Sequence, residues 1–266
     1  MEQRPDSDFD WIRDGCAKPV LKRDYHPWPG NTLSVLLPPG FEAYVKILHS
    51  ISANYRRIDD PDPFTEKEIA ILEIPACTEL RSFVQTKREE GRGPRIRWKE
   101  LANFLGVPFE AQICHAWFRK SMNEPSCWPR FLFGPDEGNL DHDELSELVS
   151  ILQSFTGEQE CFLRFAEIPF IATNKPLLFA GALGHVVDFG KEINYQFSPE
   201  YIWPSDKSWC ACSDYDLEFT FVGGPQALIS AILASKELEG FQVTYQTRID
   251  YEAPMPERSP EVDGSW

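Results

Sequence analysis

Between Trp209 and Phe219 the chain reads Trp-Cys-Ala-Cys-Ser-Asp-Tyr-Asp-Leu-Glu-Phe, a run rich in groups that bind metals or move protons. On an extended strand successive side chains point to opposite faces, so Cys210, Cys212, Asp214, Asp216 and Glu218 share one face. Two thiols and three carboxylates in a row suggest a metal site, or a carboxylate pair for general acid–base work. Spacing argues against chelation. Residues two apart on a strand stand about 7 Å from each other, whereas zinc draws four ligands to about 2.0–2.3 Å. No histidine-rich segment offers the missing ligands. Cys210 and Cys212 are weak metal candidates, and no cofactor is assigned. The ordinary reading is a solvated sheet face, and Asp214, Asp216 and Glu218 on it are the first candidates for recognising a partner.

Tyr201-Ile202-Trp203-Pro204-Ser205-Asp206-Lys207-Ser208-Trp209 leads into that strand as a stiff, ring-lined loop. Exposed, Trp203, Asp206 and Trp209 would anchor a partner, because aromatic rings give large contact area at low entropy cost. Buried, the rings are a lid on the sheet, the commoner fate of aromatics near strand starts. Asp141-His142-Asp143-Glu144 resembles a metal cluster in composition, but a helix cap accounts for Asp141 and Glu144. Cys114-His115 offers a thiol and an imidazole, yet sequence neighbours diverge in space, and nothing orients His49 or His185 as a remote base. A buried structural cysteine is the expectation. The chain carries no GxSxG, HExxH, Walker loop or GxGxxG, and Gly223-Gly224 reads as a turn. No catalytic residue is assigned.

The elements that would position these groups follow from periodicity. Leu33 to Leu37 and Phe41 to Leu48 read as a hairpin around Pro38-Pro39-Gly40, with Phe41, Ala43, Val45 and Ile47 on one face. Thr65 and Glu68 start a short helix through Leu72, and 87–93 is a solvated loop. Pro94 opens a helix with the stripe Trp98, Leu101, Ala102, Leu105, closed by Gly106. Asp141 caps the clearest helix, lined by Leu145, Leu148, Val149, Leu152 and Phe155 and stopped at Gly157. Residues 161–168, 177–183 and 209–222 are strand-like, the last as one long strand or a bent pair. Pro225 starts a helix carrying Leu228, Ile229, Ile232 and Leu233 inward, and 241–249 alternates as a half-exposed antiparallel strand. Strands without strict βα alternation predict an α+β fold: mainly antiparallel sheet with three to five helices packed on it. The expected organisation is an irregular arm over 1–30, a subdomain over 31–135, a second over 136–253 and a loose tail over 254–266.

Charge separates the two subdomains. The chain has 266 residues and a formal charge of −16, from 26 Lys+Arg against 42 Asp+Glu. Residues 1–133 balance at 19 of each sign, and residues 134–266 hold 7 basic and 23 acidic. Such a surface repels polyanions, so neither nucleic acid nor an anionic membrane is an expected partner, and a basic protein is. Solubility alone is the bland explanation of the same charge. No apolar run approaches the roughly 18 residues that cross a bilayer, and the N-terminus lacks a signal-peptide plan. Seven widely spaced cysteines, an odd number, suit a reducing compartment. A soluble, cytoplasmic protein is the expectation.

Trp203-Pro204-Ser205-Asp206-Lys207-Ser208-Trp209, then Asp216 and Thr220-Phe221-Val222-Gly223-Gly224, resembles a family of uncharacterised bacterial proteins frequent in actinomycetes. That family shows W-P-x-D-[RK]-x-W, an acidic strand and a T-[YF]-V-G-G step into a leucine-rich helix. Tyr44 to His49 and Arg97-Trp98 fit its N-terminal part. The resemblance implies a bacterial globular protein, transfers no catalytic residue, and does not extend to Cys210, Cys212 or the acidic tail. By size and charge the chain is also loosely similar to acidic immunity proteins. The leading expectation is a non-enzymatic interaction protein that docks a basic partner, as an immunity protein occludes a toxin. The alternatives are a hydrolase-like enzyme using Asp214 and Asp216 or Cys114 in a cleft, and a metal-binding module.

Overall fold

A computed structural model describes residues 1–24, 29–54, 92–122, 132–165, 176–193 and 198–256. In chain order its elements begin β1 (Glu2–Gln3), α1 (Asp10–Gly15), β2 (Ala43–Leu48), β3 (Ile51–Asn54), β4 (Arg92–Ile96), α2 (Trp98–Leu105), α3 (His115–Met122) and β5 (Leu132–Phe133). They continue α4 (His142–Thr156), β6 (Cys161–Phe165), β7 (Leu177–Gly181), α5 (Val186–Glu192), β8 (Tyr201–Pro204), β9 (Cys210–Cys212), β10 (Phe219–Gly224), α6 (Gln226–Ala234) and β11 (Gly240–Val243). The fold is α+β with mainly antiparallel sheet. The short helix expected over 65–72 and most of the loop over 87–93 lie outside the described residues.

The chain forms two units, residues 1–50 with 135–250, and residues 51–134 with 251–266. This corrects the expected grouping of 31–135. β2 pairs with β10 along its whole length, from Ala43 opposite Gly224 to Leu48 opposite Phe219, so it belongs to the sheet of the C-terminal half. The first unit carries nearly all the charge imbalance: 12 Lys+Arg against 26 Asp+Glu, or −14 of the total −16.

The first unit is an eight-stranded antiparallel sheet in the order β1-β7-β6-β8-β9-β10-β2-β11, covered on both faces. One face carries Val45, Ile47, Leu163, Ile202, Ala211 and Val222, packed beneath α4, α5 and α6. α4 forms for local reasons. Asp141 Oδ1 accepts from Glu144 N at 2.8 Å while Asp141 N donates to Glu144 Oε2 at 3.4 Å, which satisfies two orphan amides at once. Leu145, Leu148, Val149 and Leu152 are buried, but Phe155 is exposed and Thr156 turns inward in its place.

The opposite face is covered by the N-terminal segment, so the arm expected to be irregular is a layer of the fold that carries β1 and α1. The Phe9 ring lies 4.9 Å from Tyr201 and 5.9 Å from Trp203, and Tyr201 Oη donates to the Leu36 carbonyl at 3.0 Å. Leu33, Leu36 and Leu37 are buried there, but Leu33–Val35 is a single turn of 3₁₀ helix rather than the first strand of a hairpin. With both faces covered, all six residues of β2 are buried, Lys46 among them. The alternating strand expected over 241–249 stops at Val243, because Thr247 Oγ1 accepts from Thr244 N in the turn that follows.

The second unit sets the sheet β4-β3-β5 with α2 and α3. Trp98 and Phe118 are buried with ring centroids 5.2 Å apart, and Trp117 Nε1 donates to the Ala253 carbonyl at 2.9 Å. Pro94 lies within β4 and does not open the helix. The helix starts at Trp98 and closes at Gly106, whose φ of +61° an L side chain resists. Among the described residues, no helix is long and apolar enough to cross a membrane.

Candidate functional site

The ring-lined loop over 201–209 buries its two ends and displays its middle. Trp203 is 1% exposed and lies flat on Phe162, with centroids 5.3 Å apart and planes within 4°. Trp209 is equally buried, and its Nε1 donates to Thr156 Oγ1 at 3.0 Å. Neither presents a surface to a partner, so of the two readings the buried lid holds and Trp203 and Trp209 are not anchors. The two rings fill opposite faces of the sheet, and so brace the turn between them. At the turn Asp206 is exposed, accepting from Ser208 N at 2.9 Å and from Gln159 Nε2 at 3.0 Å. Burial disfavours its charge, but the hydrogen bonds from Gln159 and Ser208 together outweigh that and lower its pKa. Lys207 is held at φ 56°, a left-handed conformation costly for a residue with a Cβ.

The expected carboxylate face does not form. Of the two readings of 209–222, one long strand or a bent pair, the structure has the pair: β9 and β10 form an antiparallel hairpin, and 213–218 is the connection. Asp214 Oδ1 accepts from Asp216 N at 2.9 Å and the Asp214 carbonyl accepts from Leu217 N, so this aspartate shapes the turn. Asp214 is half-buried, Asp216 is exposed, and Glu218, just before β10, is buried at 1% exposure. Three carboxylates that alternation would align thus point three ways. Cys210 and Cys212 are also buried, on the face under the N-terminal segment, and burial pushes both thiols well above their ordinary range. Among the described residues, no group of three or more His, Cys, Asp and Glu side chains is placed to hold a metal ion.

Asp214 instead faces a half-buried ion pair. Glu200 meets the Arg164 guanidinium, which also reaches Asp6 and stacks 4.2 Å from the Phe9 ring centroid. Burial raises Glu200 to about 7 despite the pull of Arg164, and Asp214 and Asp6 add repulsion in the same direction. In the second unit Cys114 is buried with its Sγ toward the Tyr251 carbonyl, while His115 packs on the Tyr251 ring at 4.6 Å. No nucleophile–base bond joins that thiol and that imidazole.

What the structure does bring together is a groove on the first unit, of about 370 Å³, lined chiefly by Trp11, Pro39, Phe41, Glu42, Lys207 and Pro225. Its floor depends on a missing side chain. A Cβ on Gly223 would fall 2.5 Å from Phe41 Cδ2 and 2.9 Å from Tyr44 Cε1, so glycine lets both rings lie across β10. Gly223 and Gly224 are accordingly the last residues of a strand, not a turn. Glu42 is exposed, and its Oε2 accepts from Gln226 N at 2.9 Å, capping α6 from a distant part of the chain. On the opposite wall Lys207 Nζ lies 5.1 Å from the Trp11 ring centroid. The Trp11 indole N–H is buried without a hydrogen-bond acceptor among the described residues.

Sequence reading singled out the Trp203–Trp209 loop but not Trp11 or Phe41 as its neighbours. The signal was the Pro38-Pro39-Gly40-Phe41 turn, which gains its meaning only when Lys207 and Ser208 are folded against it. Compared with known proteins, the chain matches no family model, no curated protein and no solved structure.

Proposed function

We propose that this is a non-enzymatic interaction protein whose first unit binds a basic partner protein, in the manner of an immunity protein. The observation that carries the reading is the confinement of charge: −14 on the unit built from residues 1–50 and 135–250, against −2 on the rest. Four of this unit's 12 cations are engaged by its own carboxylates. Arg4, Arg13, Arg164 and Arg248 are already bonded to Glu160, Asp6, Glu200 and Asp250. Glu42, Asp206 and Asp216 are exposed, where a partner's lysines and arginines can approach. Charge of this kind speeds encounter and selects sign more than it deepens affinity. It also turns away polyanions such as nucleic acid.

The test is capture on the immobilised full chain at about 50 mM and 500 mM salt, where screening shortens from roughly 14 Å to 4 Å. A partner of basic pI, held at low salt and released at high salt, is the expected result. Co-expression with that partner should abolish whatever toxicity it has alone. Capture that is indifferent to salt, or selects acidic proteins, overturns the reading.

A further inference from the structure

We propose that the groove between Trp11, Phe41 and Lys207 receives an arginine side chain of the basic partner. Its guanidinium would stack on Trp11 in the place now held by the Lys207 ammonium, and its charge would face Glu42. This rests on the reading above and names where that partner is gripped.

Three observations converge on arginine. First, a cation already approaches the Trp11 ring, since Lys207 Nζ is 5.1 Å from its centroid. That lysine sits in a turn with left-handed backbone, a conformation that a residue with a Cβ seldom adopts. A planar, weakly hydrated guanidinium stacks on an indole better than an ammonium does, so arginine can displace it. Second, Glu42 lines the same groove, is exposed, and has no basic side chain within ion-pair distance among the described residues. It accepts from the Gln226 backbone amide through one oxygen, Oε2. Third, the space fits: about 370 Å³, lined by Pro39, Phe41 and Pro225, admits an arginine and the backbone on either side of it. The unit's net charge of −14 supplies the long-range attraction that an acidic or neutral segment would lack.

The experiment is titration of the ¹⁵N-labelled full chain with three blocked pentapeptides, glycine throughout except for a central arginine, lysine or citrulline. The Trp11 indole signal is assigned by its loss in Trp11→Phe. Expected are saturable shifts of that signal and of Lys207 with the arginine peptide, about threefold weaker binding of the lysine peptide, and none of the citrulline peptide. Glu42→Gln should weaken the arginine peptide about fivefold, and Lys207→Ala, a surface change, should strengthen it by removing the resident cation. Equal shifts with citrulline, or no change in Lys207→Ala, overturn the proposal. Arginine peptide that shifts other acidic residues but leaves Trp11 still overturns this site alone, and the basic-partner reading stands. Arginine peptide that moves no signal anywhere counts against both.

Discussion

His49 Nε2 lies 2.9 Å from Thr220 Oγ1, joining two residues 171 positions apart inside the sheet of the first unit. His49 Nδ1 is 2.6 Å from the Asp136 carbonyl, which only accepts, so Nδ1 carries the hydrogen and Nε2 takes one from Thr220. Thr220 Oγ1 in turn lies 2.6 Å from Ser213 Oγ and accepts from it. The arrangement has the order of a hydroxyl, a base and an orienting group, but His49 and Thr220 are 0% and 1% exposed. Its work is to hold β2, the 213–218 connection and β10 in register.

Thr220→Val keeps the shape and removes the middle of this chain of hydrogen bonds. Two buried polar groups, His49 Nε2 and Ser213 Oγ, lose their partner. The expected loss is about 2–4 kcal/mol, read from urea unfolding. A loss below about 0.5 kcal/mol would mean that the network contributes nothing to the fold.

Burial lowers His49 from its ordinary 6.5 to about 4, against the opposing hydrogen bond and charge of Asp136. Between those values the unfolded chain binds more protons, so this residue's contribution is whole above pH 6.5 and disappears as pH falls toward 4, about 3 kcal/mol in all. Glu200 runs the other way. Raised from 4.5 to about 7, it favours the folded chain below pH 4.5 and loses that contribution as pH rises through 7. Relative to wild type, Glu200→Gln should therefore gain stability from pH 5 to pH 8. The deficit of His49→Gln should shrink from pH 6.5 to pH 4. Unfolding midpoints across pH 4–8 check both, and a variant whose curve parallels wild type removes its residue from the account.

Gly223→Ala places a Cβ against Phe41 and Tyr44. We expect destabilisation of about 1–3 kcal/mol, with the Phe41 ring displaced from the groove floor. In a Phe41→Ala background the same substitution should cost less, since the closer of the two clashes is gone. Thermal unfolding of the four proteins of that cycle measures the coupling, and additive effects would show that the rings do not need this glycine.

Cys210 and Cys212 should resist alkylation in the folded chain, because the thiolate is the reactive form and burial suppresses it. Peptide-level mass spectrometry after iodoacetamide, with and without urea, gives the comparison. Modification of either cysteine at the unfolded rate without urea would contradict their burial.

The α4 helix was legible because everything that starts and stops it is local: Asp141 and Glu144 three residues apart, four apolar residues at helical spacing, and Gly157 at positive φ. Sheet type was legible too, since strand runs without βα alternation leave little but antiparallel pairing. The sites were not. Alternation placed Cys210, Asp214 and Glu218 on one face only if the strand stayed straight, and an aspartate bonding to the amide two residues on made a turn instead. Trp203 and Trp209 carry no mark in the sequence that distinguishes an anchor from a brace. Their burial follows from a sheet covered on both faces, one by helices and the other by Phe9 and the turn over 33–37. The groove is decided the same way: Trp11, Phe41 and Lys207 are brought together by packing over nearly 200 residues of chain, and no local pattern encodes a contact whose partners meet only after the layers close.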